Sequence, residues 1–156
     1  MPMHNRNEKP VPMQWSLDRV IRADLRAENS VITELPVVFR YSLMDPHVVA
    51  FDFAAPDMGT HSWIIGREQL LEGILHGFHA ADVTIQEITV LSASGAPKPS
   101  VLRLTLRRVG AKAVFELPAD PVRDWLADTF ELVGAGREGA ALDWDGFLAR
   151  LTKERG

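Results

Sequence analysis

The sequence contains no cysteine, and this absence removes several kinds of chemistry at once. Without thiols the chain forms no disulfide, offers no thiolate to a metal and has no cysteine nucleophile. Residues 1–12 lack the apolar core of a signal peptide. No apolar run approaches the roughly 20 residues that cross a membrane. These absences favour a cytoplasmic protein.

Positive charge is also in short supply. The formal net charge is −4 at pH 7, whereas phosphate contacts from Lys and Arg supply most of the affinity of proteins for nucleic acids. The composition therefore disfavours unaided nucleic-acid binding, although it leaves room for a local basic face.

The chain is long enough for one domain. Its 156 residues, of which 46% are apolar, can bury a core without a metal or disulfide. Residues 1–14 combine prolines with polar residues and show no periodicity, so they predict a disordered tail. The single domain is expected to occupy residues 15–156.

The first half predicts four strands followed by a helix. Between turn residues, strands are expected at 17–25, 37–41, 49–53 and 61–65. The period then changes, which predicts a helix at 67–75 that Gly77 is placed to end. One face of this helix carries four apolar residues: Leu70, Leu71, Ile74 and Leu75.

The second half predicts three strands and two helices. The strands are expected at 83–91, 101–108 and 112–117. In the first of them a bulge near Gln86-Glu87 would restore the alternation. Asp120 is expected to cap a helix with Pro121 at its first position. The apolar stripe of that helix is Val122, Trp125, Leu126, Thr129 and Val133.

A last helix is expected to start at Asp143. Strands in runs, joined by short turns, indicate an α+β fold with antiparallel sheets. The predicted order is β-β-β-β-α followed by β-β-β-α-α.

Two patterns look like ligand-binding motifs. Residues 134–139 spell Gly-x-Gly-x-x-Gly, but they follow a predicted helix instead of a strand, so we interpret them as an interhelical loop. His76, His79 and Asp82 are residue types that bind metals. They straddle a predicted helix end and match no metal-site spacing, so we interpret the histidines as structural or exposed.

The remaining residues offer no catalytic set. The chain has no Gly-x-Ser-x-Gly elbow, and His61 and Ser62 are neighbours on a predicted strand, so their side chains point to opposite faces. The scattered acids form no recognisable pair. We therefore expect neither enzymatic activity nor a cofactor or metal.

One basic strip is predicted on the outer face of the strand at 101–108. Arg103 and Arg107 share this face with Thr105, close to Arg108 and Lys112. Such cations either meet phosphates or acidic side chains of a partner, or form cross-strand ion pairs worth roughly a few tenths of a kcal/mol each. We prefer the second interpretation.

Several stretches resemble, in order and spacing, the SsgA-like family of sporulating actinomycetes, and its SsgB-like members in particular. The match runs from about residue 17 to residue 151, and no single motif carries it. Departures at Ser42, His47, Gly66 and Gln69 leave open which member of the family this chain is. The residues that carry the resemblance are Arg40, Tyr41, Asp45, Pro46, Trp63, Arg67, Leu70, Leu71 and Gly73.

The resemblance implies a role in sporulation-specific septation. In this family one member recruits the tubulin-like division protein FtsZ to future septum sites, helped by an SsgA-type paralogue. Other members are linked to peptidoglycan synthesis or autolysis. The resemblance also implies a homotrimer whose fold is similar to Whirly-type and guide-RNA-binding proteins. The matching residues are interpreted as structural.

Two functions of different kind remain. The first is a division-site adaptor that binds FtsZ or another septation protein. The second is a single-stranded nucleic-acid-binding module, which the similarity to Whirly-type folds implies. Such modules need a positive groove and exposed stacking aromatics, whereas this chain is acidic and has one tyrosine. The adaptor is preferred, and a hydrolase of the cell wall is excluded by the residue inventory.

Overall fold

Apolar residues at alternate positions build one antiparallel sheet around which the described part of the molecule is organised. The computed structural model describes residues 16–55, 59–89 and 91–138. Within them lie eight strands and two helices. The elements are β1 (Ser16–Arg26), β2 (Val31–Ser42), β3 (Val48–Ala55), β4 (Gly59–Gly66), α1 (Arg67–Leu75), β5 (Phe78–His79), β6 (Val83–Ile88), β7 (Val101–Arg108), β8 (Ala111–Pro118) and α2 (Ala119–Leu132).

The eight strands form a single sheet in the order β4-β3-β2-β1-β8-β7-β6-β5. Two meanders of four strands therefore meet where β1 pairs with β8, from Asp24 opposite Glu116 to Arg26 opposite Val114. Helix α1 connects the two outermost strands and packs against β3, β4, β5 and β6. Because one short helix touches both ends of the strand order, the sheet must curl until its edges approach each other.

The inner face of the curled sheet holds the core. Phe39, Phe51 and Leu104 are fully buried there, and Trp125 of α2 packs edge-on against Phe39 with ring centroids 5.3 Å apart. The indole N–H of Trp125 donates to the carbonyl of Leu17 at 3.1 Å, so this large ring is buried without leaving its polar atom unpaired. Helix α2 is thereby fixed across the inner face near β1.

The predicted α+β class with antiparallel pairing is confirmed, and so are the bounds of α1 and β7. Leu70 and Ile74 are buried on the predicted face of α1, and Gly77, with φ of 90°, follows the helix end. Leu75 was placed wrongly on that face, because it is 60% exposed. Burial extends instead to Arg67 and Gly73.

The predicted bulge near Gln86-Glu87 is wrong. Pairing between β6 and β7 runs without a break from Val83 opposite Leu106 to Ile88 opposite Val101. Glu87 occupies the inward position that the alternation assigns to an apolar residue. Its carboxylate accepts a hydrogen bond from Arg123 of α2. An ion pair with a helix thus replaces the apolar contact, and the strand keeps its phase.

Other boundaries also differ from the predictions. Strand β2 begins at Val31, and Pro36 lies inside it instead of before it. A proline is tolerated there because pairing with β3 begins only at Val37. The two-residue strand β5 was not predicted, and one sheet replaces the several that were expected.

Helix α2 starts two residues earlier than predicted, so Asp120 is not its cap. Pro118 is the N-cap, and Asp120 and Pro121 both lie in the first turn, where backbone N–H groups have no partner within the helix. All five residues of the predicted apolar stripe are buried.

Two predicted segments, the tail 1–14 and the helix starting at Asp143, lie outside the described residues. Neither helix of the described ranges has the length and apolarity that a membrane span requires.

Gly73→Ala should destabilise the protein. A Cβ at this position would lie 2.4 Å from both Cβ and Cγ2 of Ile85 in β6. Overpacking of this kind costs about 1 to 3 kcal/mol, which outweighs the gain of about 1 kcal/mol in helix propensity. We expect a lower free energy of unfolding in urea titrations. The control Leu75→Ala lies on the same helix at an exposed position and should change stability much less. Equal stability of Gly73→Ala and wild type would contradict the close packing.

Candidate functional site

The residues that carry the family resemblance separate into a buried cluster and an exposed set. At the centre of the buried cluster is Arg67, whose side chain is 0% exposed. Its guanidinium forms an ion pair with Glu138, with 2.7 Å between Nη2 and Oε2. Nη1 donates to the carbonyl oxygens of Thr129 and Val133 at 2.9 and 2.7 Å. These carbonyls belong to the C-terminal end of α2, where the helix dipole favours a cation.

Local backbone geometry places Arg67 at this point. It is the first residue of α1, and its backbone N–H donates to the carbonyl of His47 at 2.8 Å. The backbone N–H of Gly66 donates to the side chain of Gln69 at 2.9 Å. The start of α1 is therefore fixed, and the arginine side chain is directed inward from the first helical turn towards α2.

Two aromatic rings enclose the guanidinium. Its carbon lies 3.8 Å from the ring centre of Phe130 and 5.0 Å from that of Tyr41. The Tyr41 hydroxyl donates to the carbonyl of Pro46 at 3.0 Å, which ties the turn after β2 to the same cluster. Burial of the ring raises the pKa of Tyr41, so the phenol stays protonated at neutral pH. Tyr41, Pro46 and Arg67 are thus brought together from separate parts of the sequence.

The ion pair changes the acidity of the carboxylate. The hydrogen bond from Arg67 is the main reason why the pKa of Glu138 lies below the usual range of a glutamate. The charged form is therefore favoured in the folded protein. Glu138 belongs to the glycine-rich stretch 134–139. A dinucleotide site needs a strand directly before such a stretch, whereas here the preceding element is helix α2.

Arg40 lies in a different place, on the outer face of the sheet. Its guanidinium donates to Asp52 of β3 at 2.6 Å and to Asp18 of β1 at 3.4 Å. The hydroxyl of Ser62 also donates to Asp52 at 2.6 Å. Burial alone would raise the pKa of Asp52, but the hydrogen bonds from Ser62 and Arg40 outweigh it and lower that pKa. The hydrogen bond to Asp52 raises the pKa of Arg40. This network links β1, β2, β3 and β4.

The other residues of the resemblance are dispersed. Trp63 of β4 is half-buried, and the guanidinium of Arg108 lies 4.5 Å from its ring centre. Asp45 is exposed in the turn before β3. Leu70 is fully buried in the core, Leu71 packs at its margin, and Gly73 meets β6. These positions point to roles in packing and turn formation.

The basic strip borders a trough on the outer face. A row of residues that are direct cross-strand partners forms the floor of this trough and crosses five strands. The floor residues are Arg26, Val114, Thr105, Thr84 and His79. The space above them is about 750 Å³. We call this feature the basic trough.

Two walls flank the basic trough. On one side Arg103 donates to Glu116 at 2.6 and 2.8 Å, and Arg26 lies 3.6 Å from the same carboxylate. On the other side Arg107 and Lys112 are direct cross-strand partners. The preferred interpretation of the strip as ion-paired therefore fits Arg103 but not Arg107, which donates to the hydroxyl of Thr84 at 3.0 Å.

Metal and cofactor chemistry gains no support from the described ranges. Within residues 16–55, 59–89 and 91–138, no three His, Asp or Glu side chains come together as metal ligands would. His76 pairs with Glu72 on the surface of α1, at 3.2 Å. The chemistry that the charged residues of the outer face offer to a partner is ion pairing and hydrogen bonding.

Two acidic residues in these networks escaped sequence analysis. Glu138 sits among glycines, and no periodicity links it to Arg67, 71 residues away. Asp52 lies between two buried phenylalanines of β3. Its outward position follows from the alternation, but its partners do not. A buried arginine at the first position of α1 would have been the one signal that an acid had to lie nearby.

Comparison with known proteins places the chain among proteins of sporulation. The family described as Streptomyces sporulation and cell division protein, SsgA, matches residues 35–138. The sporulation-specific cell division protein SsgB of Kineococcus radiotolerans is 30% identical, covering 96% of this chain and 90% of its own length. The protein of the same name from Saccharopolyspora erythraea is 29% identical, covering 82% and 86%.

Solved structures have the same fold. An SsgA-like sporulation-specific cell division protein from Thermobifida fusca superposes with a TM-score of 0.72 at 26% identity, covering 86% of this chain and 94% of the other. A structure of SsgB, a protein in which mutations correlate to longitudinal cell division during sporulation of Streptomyces coelicolor, gives a TM-score of 0.70 at 23% identity, covering 81% of this chain and 94% of the other.

Arg67→Ala should destabilise the fold strongly. The change removes the Arg67 donors from the Glu138 carboxylate and the Val133 carbonyl, and leaves the Thr129 carbonyl only the backbone N–H of Val133. Breaking a buried pair costs about 3 to 5 kcal/mol. Urea unfolding measures the loss. Arg19→Ala is the matched control, because Arg19 forms only a partly exposed pair with Asp128 at 3.3 Å, worth at most about 1 kcal/mol. Similar losses in both variants would contradict a central role for Arg67.

The contribution of Glu138 should disappear in acid. Because its pKa is lowered in the folded state, the stabilisation is present above the ordinary glutamate pKa of about 4.3 and is lost as the pH falls through the folded value. Wild type should therefore exceed Glu138→Gln in unfolding free energy at neutral pH, and the gap should narrow on acidification. A gap that stays constant with pH would count against the ion pair.

Proposed function

Since this chain belongs to the SsgA family of sporulation and cell division proteins, we propose that it is a non-enzymatic septation protein that binds FtsZ or another septum protein and helps to recruit it. The observation that carries the proposal is the match of residues 35–138 to the family, joined by relatives that are named sporulation-specific cell division proteins. Its place of action is the cytoplasmic side of division septa.

The distribution of the motif residues supports a binding function. Tyr41, Pro46 and Arg67 are buried and hold elements of this chain to one another. All three are buried, so we assign them to the fold. Contacts with a partner therefore fall to the outer face of the sheet, where charged side chains form networks across the strands.

The single-stranded nucleic-acid alternative has less support. The basic trough is the basic groove that a Whirly-like binding mode would use, but none of the described Phe, Trp or Tyr residues lines it. Proteins that bind single strands without sequence preference stack bases on such rings. A protein partner fits the lining better.

The assembly state belongs to the same proposal. We expect a homotrimer in solution, and an SsgA-type paralogue as a helper in recruitment, because the family resemblance implies both. Multi-angle light scattering on the full chain measures the first, and a mass of one or two chains would contradict it.

The purified full-length protein should co-sediment with FtsZ filaments from the same organism. We expect saturable binding at a defined ratio, with unassembled FtsZ as the control for pelleting. Gly73→Ala, if it remains folded, should bind as wild type does, because it changes only the interior. Absence of wild-type binding would contradict direct recruitment and transfer the role to a helper or to another septum protein.

A further inference from the structure

The basic trough is lined by more positive charges than the carboxylates of the described residues pair with. Four cations line it, Arg26, Arg103, Arg107 and Lys112, against two carboxylates, Glu28 and Glu116. Glu116 is already shared by Arg26 and Arg103. Two positive charges are therefore in excess over the carboxylates among the described residues that line the trough.

Arg107 and Lys112 stand out among the sheet cations. They are directly opposite each other on β7 and β8, and like charges in that position repel. Elsewhere on the sheet Arg22 forms an ion pair with Glu34, and Arg40 forms one with Asp52, each on a neighbouring strand. Within the part of the chain that the structure describes, no carboxylate pairs with Arg107 or Lys112, so this wall is electrostatically incomplete.

The shape of the trough suits an extended chain. The middle of the floor, at Val114, Thr105 and Thr84, has short side chains. Arg26 and His79 at the ends of the floor, and the walls, carry longer ones. The row crosses five strands, which at the spacing of neighbouring strands is about 19 Å. An extended peptide of about six residues has the same length. The hydroxyls of the two threonines add polar groups on the floor.

We propose that the basic trough is a docking site for an extended acidic segment of a partner protein, with Arg107 and Lys112 as the cations that recognise its carboxylates. This deepens the proposed function, on which it rests, by naming the surface and the chemistry of the partner. A short acidic segment feels mainly the local field within a Debye length, whereas a long nucleic acid also meets the net charge of −4. None of the described Phe, Trp or Tyr residues lines the trough, which also favours a peptide over bases.

Fluorescence anisotropy of the full chain with fluorescein-labelled hexaglutamate tests the proposal. Hexaglutamine and an oligothymidylate of equal length are the comparison probes. We expect saturable binding of hexaglutamate at low salt that weakens as salt rises, and none of hexaglutamine. The double variant Arg107→Gln with Lys112→Gln should bind about tenfold more weakly, which corresponds to about 1.4 kcal/mol and lies within what two exposed ion pairs contribute.

The control variant is Arg22→Gln with Lys98→Gln. It removes the same two positive charges from exposed sites outside the basic trough. Its affinity should stay close to that of wild type, and thermal melting should show both variants folded. Equal weakening in both variants, no binding of hexaglutamate by wild type, or preference for oligothymidylate would each overturn the proposal.

The same proteins should then be compared in co-sedimentation with FtsZ. If wild type fails to bind FtsZ but hexaglutamate binding depends on Arg107 and Lys112, FtsZ is the wrong partner. The proposal that the trough binds acidic segments is then still supported. If FtsZ binding is intact in the trough variant, the trough is not the surface that FtsZ uses, and the docking proposal fails for that partner.

Discussion

The buried guanidinium of Arg67 is the interaction on which the described fold depends. A buried charge is costly unless it is paired. Here Glu138 and the last carbonyls of α2 accept from both Nη atoms, two aromatic rings enclose the group, and Nε has no partner among the described residues. The same side chain starts α1, which bridges the first and last strands of the sheet order. One arginine thereby couples the end of α2 to the curvature of the sheet.

The need to pair the buried Arg67 assigns one set of residues to the fold and leaves another set on the surface. The residues by which the chain resembles its family build the interior around Arg67 or close turns, and Arg40 ties strands together on the outer face. The basic trough lies outside this cluster, on β7 and β8 and their neighbours. Its charge can therefore differ from one relative to another without any cost to the interior.

The sequence predicted what depends on local periodicity. Leu102, Leu104 and Leu106 alternate, and β7 has the predicted bounds, while the spacing of Leu70 and Ile74 located α1. Ion pairs between residues that are distant in the sequence could not be predicted from it. Glu87 broke the alternation because Arg123 of α2 partners it, and Glu138 pairs with an arginine 71 residues away. The strip was recognised at Arg103 and Arg107, but which of the two is paired depends on Glu116 across the strand.

The central claim is that the outer face of the sheet binds the partner, while the Arg67 cluster only stabilises the fold. Hydrogen exchange of the full chain, with and without assembled FtsZ, tests this claim most directly. The account predicts new protection in peptides covering β7 and β8, and unchanged exchange in those covering α1 and the end of α2. Protection confined to α1 and the region of Tyr41, with β7 and β8 unaffected, would contradict it.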